Sequence, residues 1–218
     1  MNLSTLVRSR YATKAFAQEK TIPQDQLAQL CDLLRFAPSS TNLQPWHFVL
    51  AQTPEGKARI AAGAHGVFAS NASKINNASL CVVFCAKTHL DDTYLEQVLA
   101  QEEQDGRFAA NPEFKNTVAN GRKMYADIHR QTLNDATHWM EKQLYLNMGF
   151  FLLGAAALGL DAVPIEGIDT ARVNSELNLN TQGFTAVALV ALGCRAGDDF
   201  NAVLPKSRLA PEQVMEYI

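Results

Sequence analysis

The stretch Leu144-Tyr-Leu-Asn147-Met-Gly149-Phe-Phe-Leu-Leu-Gly154-Ala-Ala-Ala-Leu-Gly159-Leu160 decides between two kinds of protein. It is apolar enough to raise the question of a membrane span. A span needs ~20 apolar residues, whereas this run carries Asn147 inside, is bounded by Lys142 and Asp161, and falls short of that length. The stretch therefore reads as a central helix of a globular domain, buried on most sides. Gly149, Gly154 and Gly159 recur every five residues and cost helix propensity. They suggest close approach of another backbone or helix; a plain, tightly packed core helix is the other reading.

Outward from that helix, residues 111–134 and 137–160 read as two long helical stretches. Thr21-Ile-Pro-Gln24 and Thr53-Pro54-Glu55 pair a hydroxyl N-cap with a proline in the first turn, so both open helices. Leu27, Leu30, Cys31 and Leu34 continue the first as an i, i+3, i+4, i+7 stripe that buries one face. Strands are expected at residues 46–51, 80–86 and 185–192, the last two being continuous apolar runs of the kind covered on both faces. No repeat, low-complexity tract or linker interrupts the chain. One α+β domain over residues 1–218 is expected, with few strands and many helices.

Composition agrees. The 218 residues are 47% hydrophobic and 19% charged, which excludes disorder. A globular monomer of this mass exposes roughly 9,900 Å² and buries about 70% of its open-chain surface, enough for a core without staples. The formal net charge is −3, without the positive excess that nucleic-acid binding draws on. Cys31, Cys81, Cys85 and Cys194 show no zinc spacing and read as small buried hydrophobes in a reducing cytosol. The first ten residues place charge where a secretory signal needs its apolar stretch, so a cytoplasmic location is expected.

The common catalytic constellations are missing from the sequence. There is no Gly-x-Gly-x-x-Gly, P-loop or Gly-x-Ser-x-Gly elbow, and the five histidines have no short metal-ligand spacing. Read singly, each histidine is a surface or satisfied core residue. What stands out is cations and small polar groups at helix edges: Arg8, Arg10 and Lys14; Asn71 and Lys74; Lys206-Ser207-Arg208. Singly these are solvated charges; together they can surround a phosphate and an electron-rich ring, since Arg is a forked donor and Lys a mobile point charge. Pro38-Ser39-Ser40-Thr41-Asn42 is either an ordinary turn or a dense set of hydrogen-bonding groups beside a strand. Pro164 and Gly167 bracket a second turn, able to present bare N–H groups.

Five motifs, in order, resemble the oxygen-insensitive NAD(P)H nitroreductases, also known as dihydropteridine reductases. They are Arg10-Tyr-Ala-Thr-Lys14-Ala-Phe, Ala37-Pro-Ser-Ser-Thr-Asn42-Leu-Gln-Pro-Trp-His-Phe, Asp105-Gly-Arg-Phe, Gly159-Leu-Asp-Ala-Val-Pro164-Ile-Glu166-Gly and Leu204-Pro-Lys206-Ser-Arg208-Leu. The resemblance runs from near residue 5 to near residue 210. It implies a nitroreductase-like fold, a mixed, mostly antiparallel sheet flanked by helices, and a homodimer with FMN at the subunit interface and the central helix packed there.

The resemblance also implies roles. Arg10, Lys206 and Arg208 would meet the FMN phosphate, within a cofactor set that includes Tyr11, Ala12, Thr13 and Ser207. Lys14 and Lys74 would face the flavin's pyrimidine edge, Asn71 its polar rim, and the backbone at Pro164, Glu166 and Gly167 its N5 and O4 side. Pro38, Ser39, Ser40 and Asn42 would come from the partner subunit. Thr41, Phe68, Tyr125 and Phe200 would wall the substrate channel, and Arg107 would meet the nicotinamide nucleotide. No metal and no catalytic side chain are implied, because the hydride moves at FMN N5. The implied reaction is ping-pong two-electron reduction of nitroaromatics and quinones, small planar acceptors, by NADH or NADPH. A flavin or dihydropteridine reductase with incidental nitro activity, or an FMN-binding protein without turnover, are the other readings. Ala12 replaces a serine common in its motif, Ser70 an aromatic, and Met124-Tyr125 two phenylalanines, so acceptor choice is the trait that transfers least.

Overall fold

The computed structural model describes residues 2–218. In chain order they form α1 (Leu3–Ser9), α2 (Gln24–Arg35), β1 (Trp46–Ala51), α3 (Pro54–Ala61), α4 (Ala72–Asn77), β2 (Leu80–Lys87), α5 (Asp92–Gln104), α6 (Phe114–Asp127), α7 (Ala136–Ala157), β3 (Asp161–Ile165), α8 (Thr170–Leu177), β4 (Phe184–Gly193) and α9 (Pro211–Val214). The sheet order is β1-β2-β4-β3, and each neighbouring pair is antiparallel. Its parallel component is an isolated bridge, Ala12 to Ala162, which lays the N-terminal arm along the β3 edge.

The continuous apolar runs of β2 and β4 follow from their central place. Cys81, Val83 and Cys85 point into one core layer, roofed by α3, α4 and α8; Leu80, Val82, Phe84 and Ala86 point into the other, under α2 and α7. Strand residues alternate faces, so both sets must be apolar. A bulge keeps β4 in step: Phe84 pairs with Ala188 but Cys85 with Ala186, which leaves Val187 as the extra residue and reverses the faces beyond it. A third, smaller cluster of Leu43, Leu95, Ala126, Trp139 and Met140 joins α5 and α6 to the start of α7.

Of the three glycines in and just past α7, only Gly154 marks the close approach that their spacing suggests. At Gly154 the Leu33 side chain of α2 occupies the space a Cβ would need, so α2 packs close. Gly159, at φ +77°, ends the helix in a Schellman motif in which Leu160 N–H bonds Ala155 C=O and Gly159 N–H bonds Ala156 C=O, both 3.0 Å. Gly149 faces open space. The fully buried Asn147 donates to Leu34 C=O at 2.8 Å, satisfying a carbonyl in the last turn of α2. Leu146 and Phe150 stay exposed, so the helix is buried on one face only. No helix of the described residues is long and apolar enough to cross a membrane.

Four expectations need correction. The stretch 111–134 is shorter: α6 starts at Phe114, widens into a π-helical turn at Ile128–Thr132, and breaks at Asn134, whose φ is +51°. Thr21 does not cap α2; Pro23 holds the cap position without a side-chain bond, whereas Thr53 accepts the Gly56 N–H at 3.1 Å. Pro164 lies inside edge strand β3, where a missing N–H is tolerated, and the turn follows at Glu166–Ile168. Of the cysteines, Cys81 and Cys85 are buried and their thiols pushed up to about 12 by burial, but Cys31 is exposed and Cys194 half-buried.

The chain exposes 12411 Å². That is about 2,500 Å² more than a globular monomer of this mass shows. Large apolar side chains that face outward include Phe36 on α2, Leu146 and Phe150 on α7, and Leu204, Leu209, Met215 and Tyr217 in the carboxyl-terminal segment.

Candidate active site

Where the N-terminal arm meets the carboxyl-terminal segment, Arg10, Tyr11, Ala12, Asn201, Lys206 and Arg208 line a cavity of about 390 Å³. Arg10 stands there because α1 ends on it: its backbone turns extended (ψ 141°) and its carbonyl, with that of Val7, accepts from Lys206 Nζ. No carboxylate lines the cavity. The cations consequently strain one another: burial and then Arg208 hold the Arg10 guanidinium below its ordinary value, and burial, Arg10 and Arg208 do the same to Lys206. A second hollow of about 870 Å³ shares Arg10, Lys206 and Arg208 and is floored by Gly149, Leu152 and Leu153 of α7. Ser207 is exposed; its carbonyl accepts from Arg208 Nη1 at 2.6 Å.

Asp199, which the sequence reading missed, knots this cavity together. Only 3% exposed, its carboxylate accepts from Tyr11 OH (3.1 Å), Lys14 N–H (2.9 Å) and Asn201 N–H (3.0 Å), while Asn201 Nδ2 donates to Ala12 C=O (2.8 Å). Thr13 between them is wholly buried, with its hydroxyl unpartnered. Phe200, next to Asp199, is 65% exposed. Burial alone pushes the Asp199 carboxyl up, but its N–H donors and Tyr11 more than offset this and hold it below the ordinary range. A carboxylate depressed on folding adds stability above its unfolded value near 3.9, lost as pH falls through the folded value. Asp199→Asn turns an amide N–H toward donors and is expected to cost about 2–3 kcal/mol, or ~4–10 °C in Tm at pH 7. Tm curves of the two proteins should converge as pH drops below about 4, because the wild type alone loses this contribution. Parallel curves would remove Asp199 from the role.

A second cluster continues from the first along the β3 edge. Lys74 Nζ donates to Ser70 C=O (2.7 Å) and Asn71 Oδ1 (2.9 Å), and Asn71 Nδ2 donates to Gly167 C=O (2.8 Å). Burial and nearby Lys14 lower the Lys74 ammonium. A Cβ at Gly167 would lie 2.8 Å from Asn71 Nδ2 and 3.2 Å from the Phe68 ring, so glycine is what lets Asn71 and Phe68 close on that backbone. The exposed Glu166 carboxylate accepts from Tyr145 OH at 2.7 Å, and burial together with this bond pushes the Tyr145 phenol up to about 12. Lys14, Phe68, Asn71, Lys74 and Gly167 thus come together in one cluster, with Glu166 beside it.

The loop Pro38–Asn42 is not with them. Ser40 N–H donates to Gln143 Oε1 at 2.8 Å, on α7 two positions before Tyr145; two positions on a helix are about 200° apart, so the loop and Glu166 sit on opposite faces of α7. Pro38 is exposed, and the Ser39 hydroxyl accepts Gln44 N–H at 3.0 Å. Thr41, Asn42 and Gln44 have φ of +51°, +52° and +50°, a strained run held by α5 and α6. Arg122 Nε donates to Thr41 C=O (3.0 Å), Asn42 Nδ2 to Glu102 Oε1 (2.7 Å) and Tyr94 OH to Gln44 C=O (2.5 Å). Arg107 reaches Glu102 only at 3.8 Å and is otherwise exposed, as is Tyr125 on α6. Glu102, Arg122, Gln143 and Asp199 carried no sequence signal, since each acts through tertiary contacts. Among the described residues no group of three or more His, Cys, Asp or Glu could hold a metal ion.

Four cations, Arg8, Arg10, Lys206 and Arg208, in a cavity lined by no carboxylate suit a phosphate, and a glycine cradle beside two further cations suits the edge of a planar, electron-rich ring. The residues present therefore fit FMN. The nitroreductase family model matches residues 7–194. An oxygen-insensitive NAD(P)H nitroreductase of Salmonella typhimurium is 49% identical over 215 residues, 99% of each chain. Its namesake from Enterobacter cloacae is 50% identical over 209 residues, 96% of each. A protein of Exiguobacterium sibiricum solved in complex with FMN superposes with a TM-score of 0.81 at 20% identity, covering 100% of this chain and 98% of its own. With a family model spanning most of its length and relatives alike at half of all positions, the chain belongs to the nitroreductase family.

Proposed function

We propose that the protein is an FMN-dependent NAD(P)H nitroreductase, a homodimer of one-domain chains (residues 1–218) that reduces nitroaromatics and quinones by two electrons. The observation that carries this is the carboxylate-free cavity of Arg10, Lys206 and Arg208 running on to Lys14, Asn71, Lys74 and Gly167. The activity is that named for the relatives from Salmonella and Enterobacter. FMN, when bound, supplies hydride transfer from NADH or NADPH to the acceptor.

The chain supplies the rest. Arg10, Lys206 and Arg208 hold the phosphate; Lys14 and Lys74 face the pyrimidine edge, where positive charge favours reduction; Asn71 and the Glu166–Gly167 backbone fix the ring's polar rim. Phe68 and Phe200 wall the slot and exclude water. Because Pro38, Ser39, Ser40, Thr41 and Asn42 lie across α7 from that set, they complete the slot of a second copy, as do Arg107 and Tyr125 on neighbouring segments. The 2,500 Å² of surplus surface supports the second copy. The four free thiols fit the cytoplasm.

Donor and acceptor must each lie within ~3–3.5 Å of the reacting centre, and two planar rings cannot share one slot. With NADPH varied at several fixed nitroaromatic or quinone concentrations, double-reciprocal plots are expected to be parallel. Lines meeting left of the axis would overturn the shared slot. A yellow protein whose colour NADPH does not bleach without oxygen would instead be a binding module.

A further inference from the structure

Glu102 and Arg122, which hold the Pro38–Asn42 loop, form a buried ion pair, 5% and 2% exposed. Arg122 Nη2 lies 2.8 Å from both Glu102 oxygens, and its Nε clamps the Thr41 carbonyl. A carboxylate paired in this way is an acceptor only. Asn42, at φ +52°, gives its Nδ2 to that carboxylate at 2.7 Å, and its Oδ1 accepts no hydrogen bond among the described residues. An amide side chain has one donor end and one acceptor end, and which faces outward is decided by its fixed neighbour.

We propose that Glu102, through its pair with Arg122, is a positioning residue that sets the polarity of Asn42, so that the carbonyl end is the one presented to the flavin site. This rests on the proposed function, in which Asn42 meets the partner's flavin. A donor on the ligand is thereby matched and an acceptor rejected. The strained backbone at Thr41, Asn42 and Gln44 is the local cost of that presentation, and Arg122 and Tyr94 hold it in place.

The polarity can be inverted and restored. Asn42→Asp sets one carboxylate against another and should weaken FMN on the order of tenfold or more; Glu102→Gln leaves the Asn42 amide free to turn and should weaken it several-fold. In the double variant N42D/E102Q the new glutamine donates to the new aspartate, whose second oxygen is again an outward acceptor, and affinity should return to within about threefold of the wild type. The readout is the FMN dissociation constant of folded dimer at 25 °C, with Tm measured alongside. A purely structural role would move Tm in the three variants and leave the dissociation constant unchanged, which would overturn the proposal; so would a double variant no better than Asn42→Asp. Wild-type protein that binds no FMN would sink the proposed function itself, and the inference with it.

Discussion

Reversing one charge, Arg10→Glu, is expected to cut FMN affinity about a hundredfold while making the flavin-free protein more heat-stable. The two effects share one cause. Arg10, Lys206 and Arg208 face a cavity without a carboxylate, and each of the first two is held below its ordinary value by burial and by its neighbours' charge. With nothing bound, the cluster repels itself; a glutamate there would pair with Lys206 and Arg208 and relieve that repulsion. A phosphate meets the opposite situation. At ~5 Å and an effective dielectric near 20, a unit charge is worth about 3 kcal/mol, and the two-unit reversal, discounted for the exposure of Lys206 and Arg208, still comes to about 3 kcal/mol or two decades. Lys20→Glu, the same charge change at an exposed site, should move affinity less than about threefold. Flavin titration of stripped protein and its melting curve decide the matter. Loss of affinity together with loss of stability would mean that the substitution merely damaged the fold.

That charge cluster was legible in the sequence because its Arg and Lys stand at helix edges rather than along exposed helix faces. Central strands β2 and β4 were legible for a similarly simple reason, since burial on both faces leaves polar residues only at their ends, Lys87 and Thr185. Edge strand β3 was not: Asp161-Ala-Val-Pro-Ile is short, contains proline, and is a strand only because β4 pairs with it. The extent of α6 was misjudged because the break at Asn134 depends on a left-handed residue and a π-helical turn, neither of which hydrophobic periodicity reports. Asp199 and Glu102 were invisible for a deeper reason. Their partners, Lys14 and Arg122, lie 185 and 20 positions away, and a buried carboxylate cannot be told from a surface one until the chain has closed around it.

Phe150→Lys is expected to separate the subunits and release the flavin in one step. Phe150 lines an apolar groove with Leu33, Phe36, Gly154 and Ala157, where α2 and α7 meet, yet it remains 40% exposed and Phe36 67%. The neighbouring hollow, floored by Gly149, Leu152 and Leu153, opens directly on Arg10, Lys206 and Arg208. A second copy covering this face therefore closes the phosphate site as well. In a two-fold dimer the same residue is buried twice, so each loss counts twice. Removing a phenylalanine costs about 1.5–3 kcal/mol per copy and stranding a lysine without a partner several more, so the dimer's dissociation constant should rise by at least about four decades. The isolated fold should barely notice, because in the single chain this side chain already faces solvent. Light scattering at micromolar concentration should then report a folded, colourless monomer. A variant that stays dimeric and yellow would move the subunit interface away from α7, and would leave the exposed apolar surface of α2 and α7 needing a different partner.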